Sequence, residues 1–251
     1  MSESALRFDD RPRPGRVRGL SSSLVKIIRD PEETAAGARL VMYFNRDHTE
    51  QRFREFREDR VGRAILDGAP SLYDLLTDRD ALAAMPEGSV GRTYLEYMIR
   101  EGISTEALDE EVAPVEVEIH GADPEFRRFQ QHGRASHDLW HVLTGYHRDL
   151  LGEAQVLTFS ASQIGDPAFR FLSRLARFGV GRQVKGAREL LSLAAERGAK
   201  TRPLHTVEWA PLLPRPIEEV RETLGMGPPP SYIRHVRKPS GFGLVPEEAA
   251  S

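Results

Sequence analysis

The residues best suited to chemistry are two histidines and two carboxylates in the segment HDLWHVLTGYHRDLLGE, residues 137–153. His137 and His141 are four residues apart. On a helix their Cβ atoms would lie about 6 Å apart on one face, so the two imidazoles can share one metal ion. Asp138 can turn its carboxylate toward the same ion or orient a bound water. The pattern is close to the His-Glu-x-x-His helix of zinc hydrolases, with Asp in place of Glu.

A third ligand is usual where positions on the ion are left open for substrate, and Glu153 is the candidate. Eleven residues separate it from His141, and on one continuous helix that separation would span roughly 18 Å. The chain must therefore turn, and Gly145 and Gly152 are where it can do so. A helix, a break and a second helix opened by Glu153 would return the carboxylate to the imidazoles. Such ligands suit zinc, iron, manganese or cobalt.

The spacing alone does not decide for a metal site. An isolated pair of histidines four residues apart is more often a feature of surface composition, and Trp140 beside them could simply pack in the core. His132 and His147 fall off the face that His137 and His141 share. We interpret both as solvent-facing or hydrogen-bonding residues.

The composition limits the class of protein. The 251 residues include 39% hydrophobic and 29% charged residues and no cysteine, which excludes disulfides, thiolate nucleophiles and cysteine-ligated metals. The net charge of -3 gives no reason to expect a nucleic-acid partner. No apolar run reaches the roughly 20 residues that cross a bilayer, and the opening residues lack the apolar core of a secretory signal. We expect a cytoplasmic protein.

The elements that must position the candidate ligands are helices, and we predict an all-α protein. Residues 1–20 and 227–251 are interpreted as a disordered and a flexible tail, and residues 21–226, without repeat or linker, as one helical domain. An Asp that caps a helix and a Pro at its first position indicate three helix starts, at Asp30-Pro31, Asp123-Pro124 and Asp166-Pro167. Further helices are predicted from Asp47 or Thr49 to about Leu66, from Ser89 to Gly102, and over 216–224.

One short segment has the period of a strand. Val115, Val117 and Ile119 alternate with two glutamates, a pattern typical of a half-buried strand. Pro114 interrupts its start, and a single strand has no partner to pair with. We therefore interpret the segment as an extended connection in an all-α protein.

Residues 167–188 carry six basic residues and no acidic one, interleaved with apolar side chains. Such a segment can lie on an anionic bilayer, with basic groups near the headgroups and rings at the acyl boundary. An ordinary helix with its apolar stripe in the core explains the pattern equally well. Gly179 and Gly181 are expected to divide it into two helices. The candidate membrane-binding residues are Arg170, Arg174, Arg177, Phe171 and Phe178.

These motifs resemble the coenzyme Q biosynthesis protein 4 family. Its members carry His-Asp-x-x-His, eleven residues and then Glu, with Leu-Gly before that Glu, and this chain matches every position. Upstream, MPEGSVGRTYLEYM (85–98) resembles the family's Pro-x-Gly-Ser-x-Gly-Arg-x-Tyr element, and FREDRVGRAILDGAPSLYDL (56–75) resembles its Gly-Arg-x-Ile-Leu segment. The resemblance covers approximately residues 20–226.

The resemblance implies an all-α fold, a role in ubiquinone biosynthesis and a divalent metal held by His137, Asp138, His141 and Glu153. The family activity is oxidative loss of the carboxyl group at ring carbon 1 of a polyprenylated 4-hydroxybenzoate, which leaves a hydroxyl there, and Asp138 is the candidate catalytic residue. The implied partners are a polyprenylated benzoate or quinone lipid, the membrane surface and other enzymes of the pathway. The chain lacks a mitochondrial presequence, which suggests a bacterial protein peripheral to the cytoplasmic side of the membrane, and we expect a homodimer.

Two other functions stay open. The first is a non-catalytic scaffold that binds metal and lipid and organises the enzymes of the pathway. The second, from the spacing alone, is a metallohydrolase with Asp138 as base, although the absence of the peptidase-type Glu and the family resemblance count against it. Release of carbon dioxide from a carboxylated prenyl substrate would separate the enzyme from both.

Overall fold

The computed structural model describes residues 34–237 and 244–246, and within them the chain is built almost entirely from helices. The all-α prediction is confirmed. The predicted tail 1–20 and the predicted helix start at Asp30-Pro31 lie outside the described residues. In chain order the helices are α1 (Thr34–Glu58), α2 (Arg60–Leu66), α3 (Leu72–Thr77), α4 (Arg79–Ala83), α5 (Val90–Glu101), α6 (Thr105–His120), α7 (Pro124–Thr144), α8 (Leu150–Ile164), α9 (Pro167–Gln183), α10 (Ala187–Lys200) and α11 (Ile217–Thr223).

Polar caps begin three helices where the sequence predicts them. The Asp123 carboxylate accepts a hydrogen bond from the Phe126 amide (2.7 Å) at the start of α7. Asp166 caps α9 in the same way, so both Asp-Pro starts within the described residues are confirmed. Ser89 caps α5, and Gly102 ends it in the left-handed conformation, with φ of 65°. The short helix α11 is confirmed as well.

The predicted start of a helix at Asp47 or Thr49 is wrong. Helix α1 runs without interruption through both residues to Glu58, and its buried face includes Phe53 and Phe56. A residue that can cap a helix does not have to end one when burial continues on both sides. The break comes instead at Asp59, whose side chain accepts from two amides of α2.

The extended connection predicted around Val115 is also wrong, because the segment is helical. In α6 the side chains of Val112, Val115 and Ile119 are buried, whereas Val117 is 44% exposed. This is the spacing of one helix face packed against α1. Pro114 lies inside the helix and removes one backbone donor, but burial of the face outweighs that loss.

Helix α9 is continuous through both glycines that were expected to divide it. A Cβ at Gly181 would lie 2.8 Å from Cγ of Arg188. Glycine is therefore present there because the chain at the start of α10 approaches closely, rather than because α9 ends.

The largest apolar core lies between the helices that carry the candidate ligands. Leu139 and Leu143 of α7 and Phe159 of α8 are fully buried in it, and α8 packs against both α9 and α10. Core packing thereby holds α7 and α8, which carry the candidate ligands, by the faces that point away from the candidate site. None of the helices in the described ranges is long and apolar enough to cross a membrane.

The described chain ends in a short antiparallel ribbon of β1 (His235–Arg237) and β2 (Leu244–Pro246). The segment leading into it, which the sequence places in the flexible tail, lies against the helices. Tyr232 is partly buried and its hydroxyl bonds to the loop between α7 and α8. These contacts join residues more than 80 positions apart, so local sequence patterns cannot indicate them.

Candidate metal centre

Three of the four predicted ligands converge. Oε2 of Glu153 lies 3.6 Å from Nε2 of His141 and 3.9 Å from Nε2 of His137. The possible ligand atoms of the three side chains all lie within 4.8 Å of one another. Two ligands of a tetrahedral zinc ion, each about 2.0–2.1 Å from it, lie about 3.4 Å apart. Two nitrogens and a carboxylate at these separations therefore fit a divalent cation after small side-chain movements.

The turn between α7 and α8 brings Glu153 back to the histidines. Gly145 ends α7 in the left-handed conformation, with φ of 74°, as the sequence predicts. Gly152 is not a break, however, and lies in the first turn of α8 beside Glu153. A side chain at Gly152 would overlap the carbonyl of His147, so this glycine permits the tight approach of the loop to the helix.

His141 is oriented by the backbone of the same turn. Its Nδ1 lies 3.0 Å from the carbonyl oxygen of Tyr146. Because a carbonyl can only accept, Nδ1 carries a hydrogen, and Nε2, which faces Glu153, is the nitrogen that can bind a cation once it has lost its own proton. A histidine ligand held in this way by a backbone carbonyl is the usual arrangement around protein-bound metals.

The charges of His137 and Glu153 favour cation binding at neutral pH, whereas His141 must first lose a proton. Desolvation in the cavity wall lowers the pKa of His137 to about 4, and the nearby His141 adds to the effect. Burial also opposes charge on His141 and Glu153, but their mutual contact outweighs it, raising the pKa of His141 and lowering that of Glu153. His137 is consequently neutral and Glu153 ionised, as ligands must be, and a cation would displace the proton that Glu153 favours on His141.

Asp138 lies beside the cluster of three without belonging to it. Its side chain is buried and lines the same cavity as His137, His141 and Glu153. Burial raises the pKa of Asp138 to about 6, against the opposing charges of His141 and Arg148. A carboxyl group with this pKa can take up or release a proton near neutral pH. Its role as a metal ligand remains a prediction.

Two cavities meet at the candidate centre. The larger, of about 740 Å³, contains the ligand cluster and Asp138, and its walls also carry Arg79 and Arg148. The smaller, of about 380 Å³, has a mostly apolar wall that includes Met42, Phe129, Trp140 and Leu157. His137 and Leu108 line both. His137, one of the candidate ligands, thus lies between a chamber of mixed polar and apolar lining and a mostly apolar chamber.

The other two histidines of this region contact groups outside the ligand cluster. His132 is buried, and its Nδ1 accepts from the amide of Leu72 at 3.1 Å. The ring of His147 lies against Tyr232, 6.0 Å between centroids. Neither belongs to the ligand cluster.

Two arginines that sequence reasoning missed hold the end of α7. Arg221 of α11 donates to the carbonyls of Val142 and Leu143, and Arg197 of α10 donates to that of Thr144. These carbonyls have no partner within the helix itself, so the buried guanidiniums complete the helix end that carries His141. Nothing in local spacing indicates such pairing over more than 50 residues.

The predicted membrane-binding residues lie on the outer face of α9. Arg170, Arg174 and Arg177 are exposed, although Arg177 also donates to the hydroxyl of Ser192 at 2.8 Å. Between them Phe171 is 47% and Phe178 60% exposed. Leu175 is exposed on the same face, and the ring of Phe44 on α1 stacks on Phe171. We call this set of α9 residues and Phe44 the α9 surface.

Comparison with known proteins identifies the lineage. The family model described as coenzyme Q (ubiquinone) biosynthesis protein Coq4 matches residues 19–230. This chain belongs to the Coq4 family. It is 30% identical over 182 residues to the mitochondrial ubiquinone biosynthesis protein COQ4 of Kluyveromyces lactis, covering 72% of this chain and 52% of that protein. It is 32% identical over 187 residues to the COQ4 protein of Scheffersomyces stipitis, covering 72% and 54%.

The Coq4 fold is also present in a solved structure. A crystal structure from Nostoc punctiforme, of a protein described as a candidate ubiquinone biosynthesis protein, superposes with a TM-score of 0.59 at 18% identity. The match covers 84% of this chain and 97% of that one. The likeness shows a shared fold. The chain spans about half the length of the first two curated Coq4 relatives, and Coq4 membership places it in ubiquinone biosynthesis.

Proposed function

We propose that this Coq4 protein is a metal-dependent enzyme that replaces the carboxyl group at ring carbon 1 of a polyprenylated 4-hydroxybenzoate by a hydroxyl. The observation that carries the proposal is the ligand cluster of His137, His141 and Glu153 in a cavity that also carries Asp138 and Arg148 and that meets a mostly apolar cavity. An amphiphilic substrate needs both chambers, the first for its ring and the second for part of its chain.

Each residue of the candidate metal centre has a separate role in the proposed reaction. His137, His141 and Glu153 hold the cation, with Asp138 as a possible fourth ligand. A bound divalent ion supplies Lewis-acid stabilisation of charge on the ring substituents. Asp138, with its pKa raised to about 6, exchanges a proton with the phenol or with a bound water. Arg148 is exposed at the cavity wall, where its positive charge attracts the substrate carboxylate.

The reaction balances only with an external oxidant. The bond between ring and carboxyl carbon breaks, carbon dioxide leaves, and the electron pair left on the ring carbon forms a bond to an incoming oxygen atom. Dioxygen with two electrons and two protons provides that atom and one water.

A polyprenyl substrate resides in lipid, and the α9 surface has the exposed aromatic and basic groups that suit an anionic bilayer.

The test uses substrate labelled with carbon-13 in the carboxyl group. Purified protein is loaded separately with iron, zinc, manganese or cobalt and incubated with dioxygen and a reductant. Mass spectrometry should detect labelled carbon dioxide and the hydroxylated ring with one of these metals, and neither product with His141→Ala. Metal binding without either product under all conditions would favour the alternative function, a scaffold that binds metal and lipid.

A further inference from the structure

The segment that follows α11 crosses the loop between the two ligand helices. Pro229 lies directly over Gly145, where any side chain would collide with it. Three residues later the Tyr232 hydroxyl accepts a hydrogen bond from the amide of His147 (2.9 Å) and donates one to Oδ1 of Asp149 (2.8 Å). One side chain thus ties together both ends of a three-residue stretch of the loop.

Asp149 makes this contact instead of the helix-capping hydrogen bond that its position favours. It is the N-cap residue of α8, a position where an Asp side chain normally accepts from amides of the first helical turn. Here it makes no such bond. Its two oxygens accept instead from Tyr232 and from the amide of His235 (3.0 Å). Asp149 therefore does not cap α8 but holds the segment that contains Tyr232 and His235.

The Tyr232 hydroxyl lies in close contact with the turn that carries Glu153. A Cβ at Gly152 would lie 2.5 Å from the Tyr232 hydroxyl oxygen, so the hydroxyl rests against the first turn of α8, one residue before Glu153. On the other side, the same loop supplies the Tyr146 carbonyl that orients His141. Tyr232 therefore bonds to the loop at a point between the Tyr146 carbonyl, which orients His141, and the next candidate ligand, Glu153.

We propose that Tyr232 is a positioning residue for the metal centre, holding the loop so that Glu153 and His141 keep their separation. The inference rests on the proposed metal site. Tyr232 lies beyond residue 230, where the match to the Coq4 family model ends, whereas its partners His147 and Asp149 lie within the matched region. It acts through Asp149 and His147 and touches neither the cation nor the substrate.

The test is Tyr232→Phe in the full chain, which removes the hydroxyl and keeps the ring. Cobalt(II) affinity is measured by competition with a coloured chelator, together with the visible absorption of bound cobalt. Loss of a group that hydrogen-bonds directly to a metal ligand typically costs 10- to 100-fold in metal affinity. Tyr232 acts one contact further away, so we expect a loss at the lower end of this range, about tenfold, and a changed cobalt spectrum. The matched control is Ile233→Ala at the exposed neighbouring position, which should bind cobalt as the wild type does.

Two further variants distinguish the possible failures. Wild-type affinity in Tyr232→Phe, with binding abolished in His141→Ala, would overturn the positioning role and leave the metal site intact. Unchanged affinity in His141→Ala as well would overturn both. In the double variant Tyr232→Phe with Asp149→Ala, the loss should be smaller than the sum of the single losses. Full additivity would contradict action through Asp149. Metal-free Tyr232→Phe should keep the helical circular dichroism of the wild type.

Discussion

Glu153 and His141 face each other across the turn between α7 and α8, with 3.6 Å between Oε2 and Nε2, although twelve positions separate them in the chain. Each stabilises the charged form of the other. The pair is held by elements that have no other contact with the cavity: the Tyr146 carbonyl behind His141 and the guanidiniums of Arg197 and Arg221 at the end of α7. The geometry is therefore built into the fold before any cation is bound.

The first prediction concerns the two histidine ligands. His137→Ala and His141→Ala should each lower the affinity for a divalent cation by at least two orders of magnitude, because each removes one of three ligands. The helical content should survive, since a helix accepts Ala readily. Metal content after dialysis and far-ultraviolet circular dichroism measure the two effects. His235→Ala removes a histidine outside the cluster and should retain the metal. Stoichiometric metal in both cluster variants would disprove the assignment.

The sequence predicted the helices best where a local signal set their ends. Asp123 and Asp166 cap helices because a carboxylate followed by proline satisfies free amides without help from distant residues. Resemblance to a known family supplied the ligand set, which spacing alone left open. The convergence of Glu153 on His141 followed from simple geometry, because eleven intervening residues on one helix would have kept them apart.

Local patterns failed where distant packing decides the conformation. Val115, Val117 and Ile119 alternate as in a strand, but Val112, Val115 and Ile119 have the spacing of one helix face, and packing against α1 selects the helix. Gly181 resembles a helix end but accommodates Arg188. The roles of Arg197, Arg221 and Tyr232 depend on partners more than 50 residues away, which no single-sequence pattern can indicate.

The second prediction concerns Asp138. Replacement by Asn keeps the size of the side chain but removes the proton exchange that a carboxyl with a pKa of about 6 provides. We expect turnover of the carboxylated prenyl substrate to fall by 10²-fold or more, with cobalt still bound at the three clustered ligands. Single-turnover assays on metal-loaded protein measure the effect. Unchanged turnover would confine Asp138 to a structural role, whereas loss of the metal would make it a ligand.

The third prediction is that acid weakens the fold through buried histidines. Burial lowers the pKa of both His120 and His132 to about 4, whereas the unfolded chain titrates near the usual value of about 6.5. Between these values the unfolded state binds more protons, so stability decreases as the pH falls from about 6.5 toward about 4. The slope is at most about 1.4 kcal/mol per pH unit for each histidine.

Replacing His120 should remove its share of this slope. The ring of His120 forms no hydrogen bond within the described part of the chain and packs on Phe126, so Leu is an acceptable substitute. Urea unfolding at several pH values between 7 and 4 should give a shallower decrease in His120→Leu than in the wild type. His235→Ala serves as control, because the His235 ring bonds to the nearby Ile233 carbonyl. Parallel profiles for His120→Leu and wild type would refute the prediction.

The last prediction concerns the α9 surface. If it docks on lipid, each basic group near an anionic surface contributes about 1 kcal/mol. The triple variant Arg170→Gln, Arg174→Gln and Arg177→Gln should therefore bind anionic vesicles roughly 100-fold more weakly. High salt should weaken the wild type similarly, because screening acts within about 8–10 Å. Neutral vesicles should show a much smaller difference, since only Phe171, Phe178 and their apolar neighbours still insert.

A matched control separates the position of these charges from their number. Arginines that are exposed elsewhere on the protein can be replaced in the same way, at Arg54, Arg60 and Arg63. That triple variant changes the net charge equally and should float with anionic vesicles as the wild type does. Flotation at low and high salt, with metal content measured in parallel, compares the three proteins. Equal flotation of all three under every condition would mean that the α9 arginines face water and that the lipid substrate enters by another surface.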